Sequence, residues 1–569
     1  MRKLVCILTS VVFSAASFSQ NRYDVVIDEI MPDPTPVVAL PANEWIELKN
    51  TTAAAINLSG WRIGDLTGVS GAMPNFILQP DSFVLVCTGS AVAAMSAFGT
   101  TIPVTSFPSL DNDGDQLFLR AANGKIIHSV AYSSSWYQNV VKVDGGWSLE
   151  MIDTKSPCAG ISNWKASVDA KGGTPGKKNS IDAVNNDTDV PKLKNAYTIN
   201  NTTIVLEFNE PIDSLKGATV SNYVFDGGIN ILSAITLAPL FNTVQLTISS
   251  ALQANTVYTI TASNIIDCKN NNIGSNNKAR VGLPVESAAN ELIINEILFN
   301  PRSAGYDYVE LFNRSNKIFD ASKIYIANRN SSAVVSSQKL LSVSPVYIFP
   351  GDYIVVTEEA DNLGVNYLVQ NPDKVFVLST LPSYPDDEGD VVLLNFQGDI
   401  VDELKYKDDW HFKLIDDAEG VSLERIDPDA ATQNENNWHS AASTAGYGTP
   451  TYKNSQYKLT QAVNATIEIT PKVFSPDNDG RDDIATINYK VDAIGYVANI
   501  TIFDVSGRPV RYLVRNGILG LTGYWNWDGL DDKGLKLPVG TYILYTEIFN
   551  LRGKKDKMKN TVVLARKLN

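Results

Sequence analysis

Histidine is too scarce in this sequence for the commonest nucleophilic and zinc sites. The chain of 569 residues contains only His128, His411 and His439, and no two of them stand at the i, i+4 spacing that zinc-binding helices use. No Gly-x-Ser-x-Gly turn occurs either, so a Ser-His-Asp site would have to combine histidines from different segments. We expect His128, which stands in a short strand-like run, to lie at the surface or at a sheet edge.

Cysteine is equally scarce. Beyond the first residues only Cys87, Cys158 and Cys268 occur, and this odd number is spread over two presumed domains. The count therefore predicts neither a disulfide framework nor a CxxC metal site.

Long apolar runs are absent after the N-terminus. Arg2 and Lys3 precede the apolar run Leu4–Phe13, and small residues such as Ser19 follow it, which is typical of a signal peptide over residues 1–19. No later stretch reaches the roughly 18 apolar residues that a membrane helix requires, so no transmembrane helix is predicted. We expect an exported protein.

Basic charge is in deficit. The sequence has 47 Lys and Arg residues against 62 Asp and Glu, and losing Arg2 and Lys3 with the signal peptide changes the formal charge from −15 to −17. Since lysine and arginine supply most of the affinity for phosphates, no nucleic-acid partner is expected.

What the sequence does have is a long internal repeat. Landmarks near residues 23–182 recur in the same order near 289–457, and a period of this length indicates two copies of a whole domain rather than solenoid units. The matched landmarks are Asp28-Glu29-Ile30 with Asn295-Glu296-Ile297, Trp45-Ile46-Glu47-Leu48 with Tyr308-Val309-Glu310-Leu311, Gly114-Asp115 with Gly389-Asp390, Ser148-Leu149-Glu150 with Ser422-Leu423-Glu424, Gly173-Thr174-Pro175 with Gly448-Thr449-Pro450, and Lys178-Asn179-Ser180 with Lys453-Asn454-Ser455.

Short alternating runs rich in Val, Ile, Thr, Tyr and Phe, separated by Gly, Asn, Asp and Pro, replace helical periodicity almost everywhere. The pattern predicts an all-β protein whose strands are short enough for a sandwich or a barrel. Polar linkers near 182–189 and 456–464 separate the segments. The expected segments are a signal peptide at 1–19, repeat domains at 23–182 and 289–457, an intervening domain at 190–285 and a C-terminal domain at 466–569.

The two repeats resemble lamin tail domains, and this resemblance implies a fold of tandem immunoglobulin-like β-sandwich modules. In the first repeat the resemblance rests on Ile27–Ile30, Glu44–Asn50, Leu58-Ser59-Gly60-Trp61 and Gly114-Asp115. The second repeat has Ser322-Lys323-Ile324 where the Leu-Ser-Gly-Trp motif would stand. Bacterial members of this family occur in secreted multidomain proteins, so the resemblance implies attachment or scaffolding.

The other two segments resemble different immunoglobulin-like domains. Val205–Ile212 and the later run Leu252–Ala262 are similar to bacterial Ig-like domains of surface-layer proteins. Phe474–Gly480, Trp525–Gly529 and Leu537–Tyr542 resemble C-terminal domains of flagellar hook-capping proteins and of surface proteins from gliding bacteria of the Bacteroidetes type. This resemblance implies a role of the last domain in export or retention at the outer surface.

Carboxylates are the polar groups that recur in both repeats. They could form a calcium site or an acid–base pair, or they could accept hydrogen bonds from backbone N–H groups of neighbouring loops, which is the interpretation we favour. Since an unpaired buried carboxylate is costly, each should have a donor or a metal within reach. The recurring acids are Glu29, Glu47, Asp115, Glu150 and Asp153, matched by Glu296, Glu310, Asp390, Glu424 and Asp427.

One acidic loop in the last domain is a calcium candidate. Its ligands would be Asp477, Asp479, Asp482 and Asp483, although Ser475 and Thr486 stand where an EF-hand needs its first and twelfth ligands. The alternative is a solvated turn. Apart from possible calcium, no cofactor is expected, and no catalytic residue is assigned.

The sequence as a whole favours a non-enzymatic surface or extracellular protein that acts as a scaffold or adhesion module with a protein or glycan partner. Two alternatives stay open. One is a glycan- or calcium-binding adhesin, because Trp136, Trp147 and Trp410 lie near loops. The other is a set of accessory modules of a metal-dependent hydrolase that uses the repeated carboxylates.

Overall fold

The structure is a computed structural model that describes residues 20–413, 415, 417–457, 465–492, 496–550 and 555–566. The expected signal peptide at 1–19 lies outside the described residues. No helix in the described part of the chain is long and apolar enough to cross a membrane. The chain forms two compact units, residues 1–284 and residues 285–569.

The first repeat is a sandwich of two main sheets. One sheet has the strand order β11-β10-β1-β2-β6-β7 and the other the order β4-β8-β9, while β3 and β5 form a small pair. The strands are β1 (Val25–Met31), β2 (Trp45–Asn50), β3 (Ile56–Asn57), β4 (Arg62–Gly64), β5 (Ile77–Leu78), β6 (Phe83–Thr88), β7 (Thr101–Val104), β8 (Gly114–Arg120), β9 (Ile126–Ser133), β10 (Leu149–Met151) and β11 (Trp164–Ala166), with a short helix α1 (Val92–Met95).

Apolar side chains from both sheets fill the interior of this sandwich. Ile46 and Leu48 of one sheet and Leu117 of the other belong to one buried cluster, together with Trp61 and Trp164. Alternation along the strands places these side chains on the inner faces, and the removal of their large apolar surface from water stabilises the domain. Trp61 and Trp164 are large anchors of this core.

The segment after the first repeat is a second, smaller sandwich in the same unit. Its sheets have the orders β12-β13-β16-β15 and β14-β17-β18. Its strands are β12 (Leu193–Asn200), β13 (Thr203–Phe208), β14 (Tyr223–Phe225), β15 (Ile231–Leu237), β16 (Thr243–Ile248), β17 (Tyr258–Ala262) and β18 (Lys278–Val281), with helix α2 (Ser214–Gly217).

The second repeat has the same large sheet as the first, while its other sheet, ordered β23-β22-β27-β28, has one strand more. Its large sheet has the order β30-β29-β19-β20-β25-β26, and both repeats carry a bulge at one place, after Ile27 in β1 and after Ile294 in β19. The strands are β19 (Leu292–Leu298), β20 (Tyr308–Asn313), β21 (Phe319–Asp320), β22 (Ile324–Arg329), β23 (Val335–Leu340), β24 (Tyr347–Ile348), β25 (Tyr353–Thr357), β26 (Val375–Val377), β27 (Glu388–Asn395), β28 (Ile400–Lys407), β29 (Leu423–Arg425) and β30 (Trp438–Ser440), with helix α3 (Ala360–Asn366).

The C-terminal segment is a further sandwich, with sheets ordered β31-β33-β36 and β32-β38-β37-β34-β35. Trp527 is fully buried between them, as expected of a core anchor. Its strands are β31 (Ala465–Thr470), β32 (Val473–Phe474), β33 (Ala485–Val491), β34 (Tyr496–Phe503), β35 (Pro509–Ile518), β36 (Thr522–Trp527), β37 (Gly540–Asn550) and β38 (Lys555–Leu564).

A disulfide joins the first two domains, which corrects the expectation from the cysteine count. Cys158 of the first repeat bonds Cys268 of the following domain, with their Cα atoms 6.1 Å apart, and Cys87 stays a buried free thiol. Beside the disulfide, the guanidinium of Arg22 donates to the carbonyl of Ile212 and lies 4.2 Å from the ring centre of Phe241. These contacts fix the joint between the two domains.

We expect the double variant Cys158→Ser, Cys268→Ser to lose about 2–4 kcal/mol of unfolding free energy in the first unit, because the bond closes a loop across two domains. Chemical denaturation of the full chain measures this loss. Peptide mapping after alkylation without reductant is the control, since it should recover a linked Cys158–Cys268 peptide pair. Full alkylation of both thiols in protein made in an oxidising compartment would contradict the structure.

Candidate functional site

Three glutamates lie side by side in the large sheet of the first repeat. In the strand register Glu29 of β1 pairs with Glu47 of β2 on one side and with Glu150 of β10 on the other. All three residues are fully buried. Buried carboxyl groups need hydrogen-bond donors, so the chain must supply them from nearby.

The Ser148 hydroxyl donates to Glu29 Oε1 at 2.5 Å. The other donors come from the last segment of the repeat, residues 172–181, which we call the first strap. The amide of Thr174 donates to Glu29 Oε1 at 2.8 Å, and the amide of Gly176 donates to Glu47 Oε2 at 2.5 Å. The Thr174 hydroxyl donates to Glu150 Oε1 at 2.8 Å. The interpretation that Glu29 and Glu47 accept backbone N–H groups of a neighbouring segment is confirmed.

The second repeat builds the same arrangement from its own last segment, residues 447–456, the second strap. The amide of Thr449 donates to Glu296 Oε1 at 2.9 Å, and the Thr449 hydroxyl donates to Glu424 Oε1 at 2.9 Å. The amide of Thr451 donates to Glu310 Oε2 at 2.6 Å. The three acids are again fully buried.

The motif shared by the straps follows from this close contact. A Cβ atom at Gly173 would lie 2.9 Å from both Glu29 Oε1 and Ser148 Oγ, so only glycine lets the backbone approach the carboxylate. Asn179 then ties the strap down, because its side-chain amide donates to the backbone carbonyls of Asp28 and Met151. The sequence showed Gly-Thr-Pro as a landmark shared by both repeats, but it did not show that this segment covers the acids.

The electrostatics of the sites favour protonated glutamates. Burial, reinforced by the neighbouring Glu150, raises the pKa of Glu29 to about 8. Burial and the neighbouring Glu424 likewise raise the pKa of Glu296 to about 7. Hydrogen bonds from Ser148 and Thr174 to Glu29 lower its pKa again, yet burial prevails. The same holds for Glu296, which accepts from Ser422, Tyr308 and Thr449.

The remaining recurrent acids lie away from these sites. Asp115 accepts the amide of Gln116, and Asp153 accepts the amides of Lys155 and Asn185. They are therefore local turn and loop acceptors and do not join the buried glutamates.

The position of His128 was predicted wrongly. The residue is fully buried, its Nδ1 accepts the amide of Ile27 at 2.9 Å, and its Nε2 lies 3.2 Å from the carbonyl oxygen of Pro157. Both contacts fit a neutral ring with the proton on Nε2, and burial lowers the pKa of His128 to about 4. The imidazole is a structural bridge.

The second repeat places a different buried group at this position. Asp402 accepts the amide of Ile294 at 2.8 Å and the hydroxyl of Thr432 at 2.6 Å. Its carboxylate lies 3.5 Å from the buried guanidinium of Arg425. The amide of the bulged strand is therefore bonded by a neutral imidazole in the first repeat and by the carboxylate of an ion pair in the second.

The calcium candidate in the last domain is a turn held by backbone hydrogen bonds to the Asp483 carboxylate. Ligand oxygens of Asp477, Asp479 and Asp483 lie within 4.8 Å of one another, and Asp482 is not part of this group. Asp483 also accepts the backbone amides of Asn478 and Gly480, which gives it a structural role as well. Calcium binding stays a prediction.

Comparisons with known proteins agree with the geometry of the first unit. Residues 19–134 match the family model of the lamin tail domain, and residues 179–281 match that of the bacterial Ig-like domain. The chain contains a lamin tail domain and a bacterial Ig-like domain. The comparison with curated proteins finds no match.

Several solved structures of bacterial proteins are weakly similar to the chain. The surface-layer protein SbsC is 12% identical, with 66% of this chain and 54% of that chain covered and a TM-score of 0.16. Latent PorU from Porphyromonas gingivalis is 11% identical, with 71% of this chain and 35% of that chain covered and a TM-score of 0.16. A calcium-stabilised ice-binding adhesin of an Antarctic bacterium is 9% identical, with 96% of this chain and 100% of that chain covered and a TM-score of 0.14. The chain spans about half the length of the surface-layer protein, and similarities this weak carry no inference about function.

We expect Thr174→Val or Thr449→Val to destabilise its own repeat by about 1–3 kcal/mol, because each change leaves buried glutamate oxygens without a donor. Denaturant unfolding of the full chain measures the loss. Thr105→Val, at an exposed position of the first repeat, is the matched control and should be near neutral. Equal effects at all three positions would contradict the assigned contacts.

If the acidic turn binds calcium, calcium should raise the melting temperature of the last domain, and Asp479→Asn should abolish that rise by removing one ligand. Thermal scans with calcium and with chelator measure it. Asp482→Asn is the matched control, because Asp482 lies outside the ligand group. An unchanged melting temperature on adding chelator would show a solvated turn.

Proposed function

We propose that this chain is an exported, non-enzymatic surface or extracellular protein whose β-sandwich domains act as a structural scaffold or adhesion module. The observation that carries the proposal is the closure of both repeated acid sites. Glu29 and Glu296 bond to the chain's own straps through Thr174 and Thr449, and the acids are fully buried. A metal or substrate could reach these carboxyl groups only after a strap had moved away.

Two further features support export. The basic and apolar pattern of residues 1–19 is that of a signal peptide. The bond between Cys158 and Cys268 belongs to an oxidising environment, since structural disulfides are rare in reducing compartments. Domains of the bacterial Ig-like kind fit the same location.

The fixed joint in the first unit supports a scaffold role. Cys158–Cys268 and the Arg22 contacts keep the lamin tail domain and the Ig-like domain from moving freely. The asparagine side chain of Asn271 adds a bond to the backbone carbonyl of Asp187 in the linker. Rigid domains in series keep binding loops at a fixed distance, which lowers the entropy cost of engaging a partner.

A cleft at this joint favours a glycan-binding adhesin as a second candidate. It encloses about 270 Å³, and its walls include Trp136, Glu210 and Asn242. Exposed aromatic rings can pack on the apolar faces of sugars, while carboxyl and amide groups bind hydroxyls. Burial raises the pKa of Glu210 to about 8, so its carboxyl group can donate as well as accept near neutral pH.

We expect the full-length protein to fractionate with the outer surface or the medium of its own host, and a chain truncated after residue 457 to lose that location. The reason is that the last domain resembles domains that mediate export or retention. Fractionation with surface proteolysis measures it. A chain lacking residues 1–19 is the control and should stay in the cytoplasm. Recovery of the full-length chain from the cytoplasm would overturn the proposal.

Activity screens test the non-enzymatic part. Nuclease, phosphatase and glycosidase assays of the purified protein should show no rate, and a metal-dependent rate that disappears in Glu29→Gln or Glu296→Gln would overturn the proposal. A glycan array tests the second candidate, with Trp136→Ala expected to lose any binding and Trp147→Ala, which lies outside the cleft, as the matched control.

A further inference from the structure

We propose that Asp28 and Glu47 share one proton, which makes the first repeat a proton-binding module. In the second repeat a hydrogen bond donated by the side-chain amide of Asn295 takes the place of this proton. The inference concerns the stability of one strap and does not depend on the proposed function.

Two buried oxygens of the first repeat lack a donor. Asp28 is 2% exposed and Glu47 is fully buried. Among the described residues neither Asp28 Oδ1 nor Glu47 Oε1 has a hydrogen-bond partner, although Glu47 Oε2 accepts the amide of Gly176. A buried oxygen without a donor is costly, so both oxygens call for one.

The second repeat shows what fills this place. Asn295 stands where Asp28 stands, at the residue where the strand bulges, and Glu310 stands where Glu47 stands. The side-chain amide of Asn295 donates to Glu310 Oε1 at 2.8 Å. Asparagine and protonated aspartic acid have nearly the same shape, and both can donate one hydrogen bond to a carboxylate. A proton on Asp28 therefore restores the bond.

The charged groups around the pair favour the bound proton. Burial raises the pKa of Asp28 to about 7, and of the charged neighbours only Lys49 on β2 lowers it, while Glu150 on β10, Asp182 after the strap and Asp81 raise it. Lys49 is also engaged with Asp81 at 3.4 Å.

The charged groups around Glu47 are acidic and oppose its ionisation. Burial is the main cause that raises its pKa well above the usual value, and Glu29, Asp28 and Glu150 raise it further. Two adjacent carboxyl groups in such a site cannot both ionise without a large cost.

The sign of the pH effect follows from linkage. A carboxyl group whose pKa is raised in the folded state binds more protons folded than unfolded, so its stabilisation is complete below the unfolded pKa and is lost as pH rises through the folded pKa. For Asp28, whose folded pKa is about 7, the window of falling stability runs from about pH 4 to about pH 7. In the second repeat the Asn295 side chain does not titrate, so of this pair only Glu310, whose pKa burial also raises, contributes such a slope.

Hydrogen exchange of the full chain tests the proposal at the two straps. The Gly176 amide bonds Glu47 and the Thr451 amide bonds Glu310, so peptides spanning 172–181 and 447–456 are matched reporters. After correction for the intrinsic exchange rate, we expect Asp28→Asn to gain protection at 172–181 relative to wild type as pH rises from 5 to 8. The gain should approach about tenfold per pH unit below the pKa of the pair and then level off.

The reciprocal variant Asn295→Asp should create the same pH dependence at 447–456 and leave 172–181 unchanged. An identical pH dependence in wild type and Asp28→Asn would overturn the proposal, as would an Asn295→Asp variant without added pH dependence. Failure of Asp28→Asn to fold at pH 6, or of Asn295→Asp to fold at pH 5, would also count against it. The reason is that the amide introduced by Asp28→Asn, and the protonated carboxyl group introduced by Asn295→Asp, should each supply the hydrogen-bond donor at these pH values.

Discussion

The structure of each repeat depends on one contact, the closure of a C-terminal strap over three buried glutamates. Glu29, Glu47 and Glu150 come from three adjacent strands, and without the strap their carboxyl groups would face an uncompensated burial cost. Thr174 satisfies two of them at once, since its amide and hydroxyl bond Glu29 and Glu150. The strap is thus part of the core and not a linker.

A second buried network differs between the repeats and shows how the fold tolerates change. His128 in the first repeat and Asp402 in the second both accept a backbone amide of the bulged strand. The charge introduced by Asp402 is matched by Arg425, which stands where the first repeat has Met151. A buried charge without its partner would cost several kcal/mol, about 3–5 when one member of a pair is removed, so these positions must change together.

Much of the fold could be predicted from the sequence, because alternation and duplication are local or directly visible. The alternating apolar and polar runs form short strands such as β19 and β25, as an all-β protein requires. The role of Thr174 could not be predicted, since its partner Glu29 lies 145 residues away.

Two errors have definite physical causes. His128 was expected at the surface or at a sheet edge, but the segment with Pro157 lies against its ring and the residue is fully buried. The disulfide was missed because three cysteines cannot all pair. Cys158 and Cys268 form the bond, and Cys87 is the buried free thiol.

The position of each strap at the very end of its repeat affects the order in which the domain can be completed. A chain that emerges from a ribosome or crosses a membrane with its N-terminus first presents β1 and β2 long before residues 172–181. Until then Glu47 and Glu150 have water as donor and Glu29 has the Ser148 hydroxyl, so that sheet cannot close into a dry interior. Each repeat should therefore stay open during vectorial passage and compact only when its last ten residues arrive, which suits a polypeptide that must be threaded before it folds.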